Sequence, residues 1–358
     1  MSTAGDAGDG REDGGVLAWF PAGLPPAQKV IGLFAAKWAI GALRPLVLLG
    51  VPDLLAEGPR TAADLAREAG VDPDVLHRLL RAAAAVGVVR EAQDGTYVLA
   101  PEGQGLRSGV PDGVREMFLF ASDPVMWRPY EELPHTLRTG EPAFGRAFGT
   151  DFFAFLREHP ATAALFDHAM VQNRYPGTDR VLDGFDFSRF PRIADVGGGR
   201  GHFLAAILAR HPGCTGAVCD QPQVVAGAKE QFEQHGVADR ATAVETDFFT
   251  SVPAGFDAYL IKHTLHNWND RDAVRILSRV RDAIGTDLNA RLLVVDALLT
   301  GPGGFDLGKL TDVEMLAVLD GRERDRADWD RITAAAGFAP AGEDPEPGDL
   351  VLLEFRPV

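Results

Sequence analysis

The segment Asp195-Val196-Gly197-Gly198-Gly199-Arg200-Gly201 constrains the fold more than any other part of the chain. A short apolar run, Arg192 to Val196, leads into it, and a helical pattern over 202–210 leaves it. Glycines at such a junction let the backbone turn tightly and approach a ligand. The rhythm then continues, with strand patterns at 216–219, 242–246, 256–262, 291–298 and 350–355, and helical patterns at 222–234 and 270–284. Strands alternating with helices predict a doubly wound, Rossmann-like α/β domain over residues 185–358, built on a parallel sheet. Ligands bind such sheets at the carboxyl ends of the strands, so the residues just after each strand carry the chemistry.

Those residues form a consistent set. A dinucleotide loop would read G-x-G-x-x-G. Here Asp195 stands just before the glycines, where its charge would repel a pyrophosphate and would suit a cationic ligand carrying an amino group. Asp220 ends the second strand and can accept two ribose hydroxyls, or else cap the helix that starts at Pro222. Asp247-Phe248 after the third strand offers an acceptor and an aromatic wall to an adenine ring. S-adenosylmethionine (SAM) combines sulfonium, ammonium and adenosine in one molecule. After the fourth strand, Ile261 to Asp270 brings Lys262, His263, His266 and Trp268 to the same edge. His266 is read as catalytic and His263 as structural. Cys214 and Cys219, the only cysteines, give neither a disulfide framework nor a zinc pattern and read as buried thiols in a reducing cytoplasm.

The N-terminal part differs. Residues 1–20 are small, polar and acidic, with no apolar core of a signal peptide, and read as a disordered tail. Within 21–110, Thr61 caps a helix to Ala69, and Asp72 caps a second from Pro73 with Leu76, Leu79, Leu80 and Ala83 on one stripe. Two β-prone runs around Asp94-Gly95 then predict a hairpin. Helix, turn, helix, hairpin is the winged-helix order. A DNA-binding role would rest on His77, Arg78 and Arg81, but four successive alanines follow, and the apolar face predicts burial against a partner chain. The formal net charge of −16 also argues against nucleic acid and anionic membranes as partners. No apolar run approaches the ~20 residues of a membrane span. Residues 111–184 read as a helical, aromatic-rich linker that lines a substrate, with Trp127 as one candidate contact.

The chain resembles the two-domain, SAM-dependent small-molecule O-methyltransferases, which include plant caffeate-type enzymes and bacterial antibiotic-tailoring enzymes. The resemblance covers residues 30–356 and is carried by DVGGGRG at 195–201, LIKHTLHNWND at 260–270 and GRERDRADW at 321–329. It implies a methyltransferase domain preceded by a mostly helical dimerisation domain, and a homodimer joined through the latter. It implies His266 as general base with carboxylates at Asp296 and Glu323. It implies cofactor contacts at Gly197, Asp220, Asp247, Phe248, Lys262 and Trp268, to which our reading adds Asp195 and Gly199. Substrate contacts match Phe166 and Met170. Asn267 stands where the family has Asp and could donate a hydrogen bond to substrate; Asp296 stands where the family has Glu and reaches less far. No metal is implied, and the product would be S-adenosylhomocysteine.

The chemistry asks for such a base. A phenol has a pKa near 10, so at pH 7 only about one molecule in a thousand is phenolate, and a positioned base can recover up to roughly 4 kcal/mol. A histidine with a carboxylate on its far nitrogen suits the task. Two related readings share the cofactor site: N-methylation of a small amine, and a non-methylating member that assists decarboxylation or hydroxylation.

Overall fold

The computed structural model describes residues 25–110, 113–172, 177–303, 305–342 and 345–358. The tail expected at 1–20 lies outside them. The chain divides into two compact units, one drawn from Met1–Trp127, Leu156–Asn173 and Pro302–Phe305, the other from Arg128–Phe155, Arg174–Gly301 and Asp306–Val358. The stretch 111–184 is therefore shared between them.

In the first unit the local signals act as their chemistry dictates. Thr61 Oγ1 accepts the Asp64 N–H at 3.1 Å and opens the helix Ala62–Ala69. Asp72 Oδ1 accepts the N–H groups of Asp74 and Val75 at 2.9 and 3.0 Å and opens Pro73–Ala85. Strands β1 (Arg60–Thr61), β2 (Val89–Glu91) and β3 (Thr96–Leu99) form an antiparallel sheet in the order β1-β3-β2. Leu46, Leu55, Leu65, Leu76, Leu80 and Tyr97 make its core. The Tyr97 hydroxyl lies 3.1 Å from His77 Nδ1, so that histidine of the second helix faces the hairpin. The helix Pro26–Leu48 turns Val30, Phe34 and Trp38 outward, 54%, 55% and 66% exposed. Their spacing of four residues places them on one stripe.

The second unit is built on a seven-stranded sheet of β4 (Arg192–Val196), β5 (Thr215–Asp220), β6 (Ala241–Glu245), β7 (Ala258–Lys262), β8 (Arg291–Leu298), β9 (Phe338–Ala341) and β10 (Gly348–Pro357), in the order β6-β5-β4-β7-β8-β10-β9. The order reverses at β4, so the loops after β4 and β7 flank the crevice where ligands bind in such sheets. Alternate residues of each strand feed two cores. Ile193, Val218 and Leu260 pack with Leu204 and Leu208. Ala194, Ile261 and Val294 pack with Ile276 and Trp329. Each fully buried Leu or Ile contributes about 1.5–3 kcal/mol of transfer free energy.

The structure corrects the sequence reading in two places. The sheet is not wholly parallel: β10 runs antiparallel to both β8 and β9, because a hairpin rather than a crossover helix joins the last two strands. The helix expected over 222–234 is two, Pro222–Val225 and Ala228–Gln234, broken at Ala226-Gly227. Helices Leu307–Val318 and Arg326–Ala335 and strand β9 complete the unit.

Candidate active site

The glycine turn after β4 is shaped around Asp195. The carboxylate is 1% exposed, and neither oxygen has a hydrogen-bond partner among the described residues. A Cβ at Gly198 would lie 2.3 Å from its carboxyl carbon, so only glycine lets the turn close over it. Gly197 has φ +72° and would meet Thr264, whose hydroxyl donates to the Gly197 carbonyl at 3.2 Å. This ties the turn after β4 to the loop after β7. Burial raises the Asp195 carboxyl to about 7, against the pull of Lys262. Burial also lowers the Lys262 ammonium, which lies 5.6 Å from the Phe203 ring centroid. An unpartnered buried carboxylate under a glycine turn is what an ammonium-bearing ligand requires.

Asp220 does not cap the helix behind it. Its Oδ2 accepts the Gly199 N–H at 2.9 Å and its Oδ1 the Gln221 N–H at 2.7 Å, which fixes the carboxylate. A cleft of about 370 Å³ opens beside it, lined by Gln221, Pro222, Glu245, Thr246 and Asp247. Asp247 is exposed and holds its own turn, accepting from Phe249 N–H at 3.0 Å and Thr250 Oγ1 at 2.9 Å. Phe248, Phe249 and Phe153 surround the Trp268 indole at ring-centroid distances of 6.2, 4.7 and 5.8 Å. The carboxyl ends of β4 and β5 and the turns after β6 and β7 thus supply a buried carboxyl, a fixed carboxylate acceptor and an aromatic wall. These residues fit SAM.

The second half of the site is a buried cluster of imidazoles and carboxylates. His266 lies in the short 3-10 turn Leu265–Asn267, 7% exposed. Its Nδ1 stands 2.9 Å from Glu323 Oε1 and 3.7 Å from Asp296 Oδ1. Asp296 is nearer to His263, at 3.3 Å from Nδ1, and accepts the Ala297 N–H at 3.0 Å. The short aspartate side chain therefore places its charge beside His266 without taking its hydrogen bond. Glu323 takes that bond at Nδ1, and Nε2 is the ring nitrogen outside it. Burial alone would lower the His266 pKa, but the Asp296 charge and the Glu323 hydrogen bond outweigh it and raise it above the usual value. Burial lowers His263 to about 4, because it has Asp296 but no second carboxylate to oppose the burial. His263, His266 and Asp296 each offer one ligand atom within 4.8 Å of the others, but a metal on His266 Nδ1 would displace the Glu323 bond.

Glu323 is delivered by a segment zipped to the histidine turn. Gly321 approaches so closely that a Cβ would lie 2.1 Å from the His266 carbonyl oxygen, and the Arg322 N–H donates to that oxygen at 2.9 Å. The Glu323 N–H donates to Asp312 Oδ1 at 2.7 Å. Arg324, which sequence reasoning passed over, is 0% exposed and donates to the carbonyls of Leu265 and Trp268 at 2.9 and 2.8 Å. Its signal was the alternation of charges in GRERDRADW, which also describes an exposed segment. Asn267 turns its amide to the His263 carbonyl at 3.5 Å. Trp127, Phe166 and Met170 belong to the first unit. Trp127 and Met170 are 39% and 42% exposed, and Phe166 packs on Phe120 at 5.4 Å.

The mostly parallel seven-stranded sheet, with its strand-reversal crevice and the buried Asp195 carboxyl beneath its glycine turn, has the architecture of the SAM-dependent methyltransferases. Comparison with known proteins agrees. Residues 130–339 match the O-methyltransferase domain, and residues 32–106 match the O-methyltransferase dimerisation domain. The chain is 42% identical over 310 residues to an 8-amino-8-demethylriboflavin N,N-dimethyltransferase of Streptomyces davaonensis, covering 86% of this chain and 89% of that one. It is 33% identical over 337 residues to a phenazine O-methyltransferase of Lysobacter antibioticus, covering 94% and 97%. A solved O-methyltransferase of neocarzinostatin biosynthesis, in complex with SAM and 2-hydroxy-5-methyl naphthoic acid, superposes with a TM-score of 0.76 at 31% identity, over 90% of this chain and 96% of that one. The chain belongs to the O-methyltransferase family, and SAM is its methyl donor.

Proposed function

We propose that this enzyme methylates a hydroxyl, phenolic in character, on a small aromatic secondary metabolite, with His266 as general base. The observation that carries the reading is the buried His266–Glu323 pair at 2.9 Å. Bound SAM supplies a methyl group already activated on its sulfonium. The chain's own task is to hold the acceptor and remove its proton. With Nδ1–H donated to Glu323, His266 Nε2 would take the proton of the acceptor hydroxyl, while bound SAM would supply the methyl group to its oxygen. The imidazolium so formed is stabilised by Glu323 and by Asp296.

Asp195, Gly197, Gly199, Asp220, Asp247, Phe248, Lys262 and Trp268 hold the cofactor in this reading: Asp195 the ammonium, Asp220 the ribose, and Phe248 with Trp268 the adenine. Trp127, Phe166, Met170 and Asn267 contact the acceptor. Residues 21–110 serve homodimerisation, 111–184 line the acceptor, and 185–358 bind SAM. No metal takes part.

A second reading is N-methylation of an aromatic amine, favoured by the 42% identity to an N,N-dimethyltransferase. One experiment separates the two. The enzyme is incubated with methyl-labelled SAM and extracts of the producing organism, and the labelled product is analysed by NMR. A labelled aryl methyl ether is expected. A labelled N-methyl group would overturn the hydroxyl acceptor, and no labelled product would overturn both readings.

A further inference from the structure

The turn Leu265–Asn267 makes few interactions of its own to define the angle of the His266 ring, and a base must stand at hydrogen-bond distance from the proton it removes. Beside the Arg322 N–H bond to the His266 carbonyl, one side chain of the 321–324 segment ties the turn at both ends. Arg324 Nη1 donates to the Leu265 carbonyl at 2.9 Å and Nη2 to the Trp268 carbonyl at 2.8 Å. These carbonyls bracket His266 on either side. The same guanidinium donates from Nε and Nη2 to Asp270 Oδ1 at 3.1 and 3.0 Å, and its carbon lies 5.3 Å from the Trp329 ring centroid. Its own carbonyl accepts the Leu299 N–H at 3.1 Å, just beyond the strand that carries Asp296.

The geometry points to Arg324 as a positioning residue of the methyl-transfer site: one buried guanidinium, tied to both carbonyls that flank His266, fixes the imidazole against Glu323. The assignment rests on the reading of His266 as base. Two physical points support it. First, the planar fork of arginine matches three acceptors at once, which the single ammonium of lysine cannot do. Second, Leu265 and His266 are buried, so the Leu265 carbonyl needs a donor that water does not supply, and Arg324 brings one with its charge paired to Asp270.

The charge has its own consequence. His266 is faced by Asp296 from β8, by Glu323 and Arg324 from the 321–324 segment, and by His263 from its own loop. Asp296 and Glu323 favour the imidazolium; Arg324 opposes it. Asp270, itself engaged by Arg322, Arg324 and Arg331, offsets the Arg324 charge.

The test is turnover against pH for wild type, Arg324→Lys and Arg324→Gln, with thermal midpoint and SAM affinity measured alongside. Misplacing a catalytic group by about 1 Å costs of the order of 100-fold, so both variants are expected to lose roughly 10- to 100-fold in kcat while SAM affinity changes less than threefold. In Arg324→Gln the limb where activity rises with pH should move to higher pH, because the charge that opposed protonation is gone; in Arg324→Lys it should stay. Should Arg324→Gln fail to fold, Asp270→Asn replaces it, with the opposite expectation: the unmasked Arg324 charge moves the limb to lower pH and kcat falls. An unmoved limb in the folded charge variant, or kcat within twofold of wild type, overturns the proposal. His266→Ala, run in parallel, separates the two failures. Wild-type turnover in it overturns the base reading and this proposal with it; lost turnover in it beside normal Arg324 variants overturns the positioning role alone.

Discussion

Glu323 Oε1 lies 2.9 Å from His266 Nδ1, although 57 residues separate the two in sequence. The pair is buried, and Glu323 Oε2 has no partner among the described residues. Burial holds the Glu323 carboxyl above its ordinary value, against the pull of the His266 hydrogen bond. Asp296, also buried, is held below its ordinary value by the His266 charge despite the burial that opposes it. The division of labour follows: Glu323 orients the ring, and Asp296 supplies a standing negative charge.

That division has a pH signature. The base works as the free imidazole, and its pKa is raised above 6.5, so kcat/KM should rise with pH through an apparent pKa above that value. Asp296→Asn removes a charge that favours the imidazolium, so the rising limb should move to lower pH. A limb that stays in place in this variant contradicts the role given to Asp296.

Glu323→Gln keeps the shape and removes the orienting charge. Turnover should fall, but less than in His266→Ala, since the imidazole remains. Equal defects in the two variants would contradict a merely orienting role for Glu323.

The cofactor edge makes a separate prediction. Asp220→Ala removes the fixed acceptor beside the glycine turn and should weaken SAM binding by about 1.5–3 kcal/mol, read by calorimetry. Unchanged affinity would sink the ribose assignment.

Much of this was legible from the sequence where the signal is local. Thr61 and Asp72 were readable as caps because their side chains satisfy N–H groups two or three residues on. The helix Asp270–Ile284 and strand Arg291–Leu298 were legible from their apolar periods. The glycine turn was legible because few residues can close over a buried carboxylate. The rest depended on distant partners. Strand Phe338–Ala341 carries Pro340, which argues against a strand and is tolerated at the sheet's edge. Arg324 sits in a run of charges, and only distant partners, the Leu265 and Trp268 carbonyls and the Asp270 carboxylate, explain its burial. That Asp296 would lie nearer His263 than His266 depends on one methylene of reach, which no periodicity reports.

The first helix offers a test of assembly. Val30, Phe34 and Trp38 form an exposed apolar stripe in the unit that matches the dimerisation domain. Sedimentation should show a homodimer, and Phe34→Lys combined with Trp38→Lys should shift it toward monomer. A dimer of unchanged stability in the double variant would place the interface elsewhere.

The account turns on His266. The most direct measurement is turnover against pH for wild type and His266→Ala, using the acceptor identified by methyl labelling. Turnover in the variant should fall roughly 100- to 10,000-fold near neutral pH, with SAM affinity nearly intact. The gap should narrow as pH rises toward the acceptor's own pKa, where solvent supplies the deprotonated form. A variant within threefold of wild type across the whole range would contradict the base role.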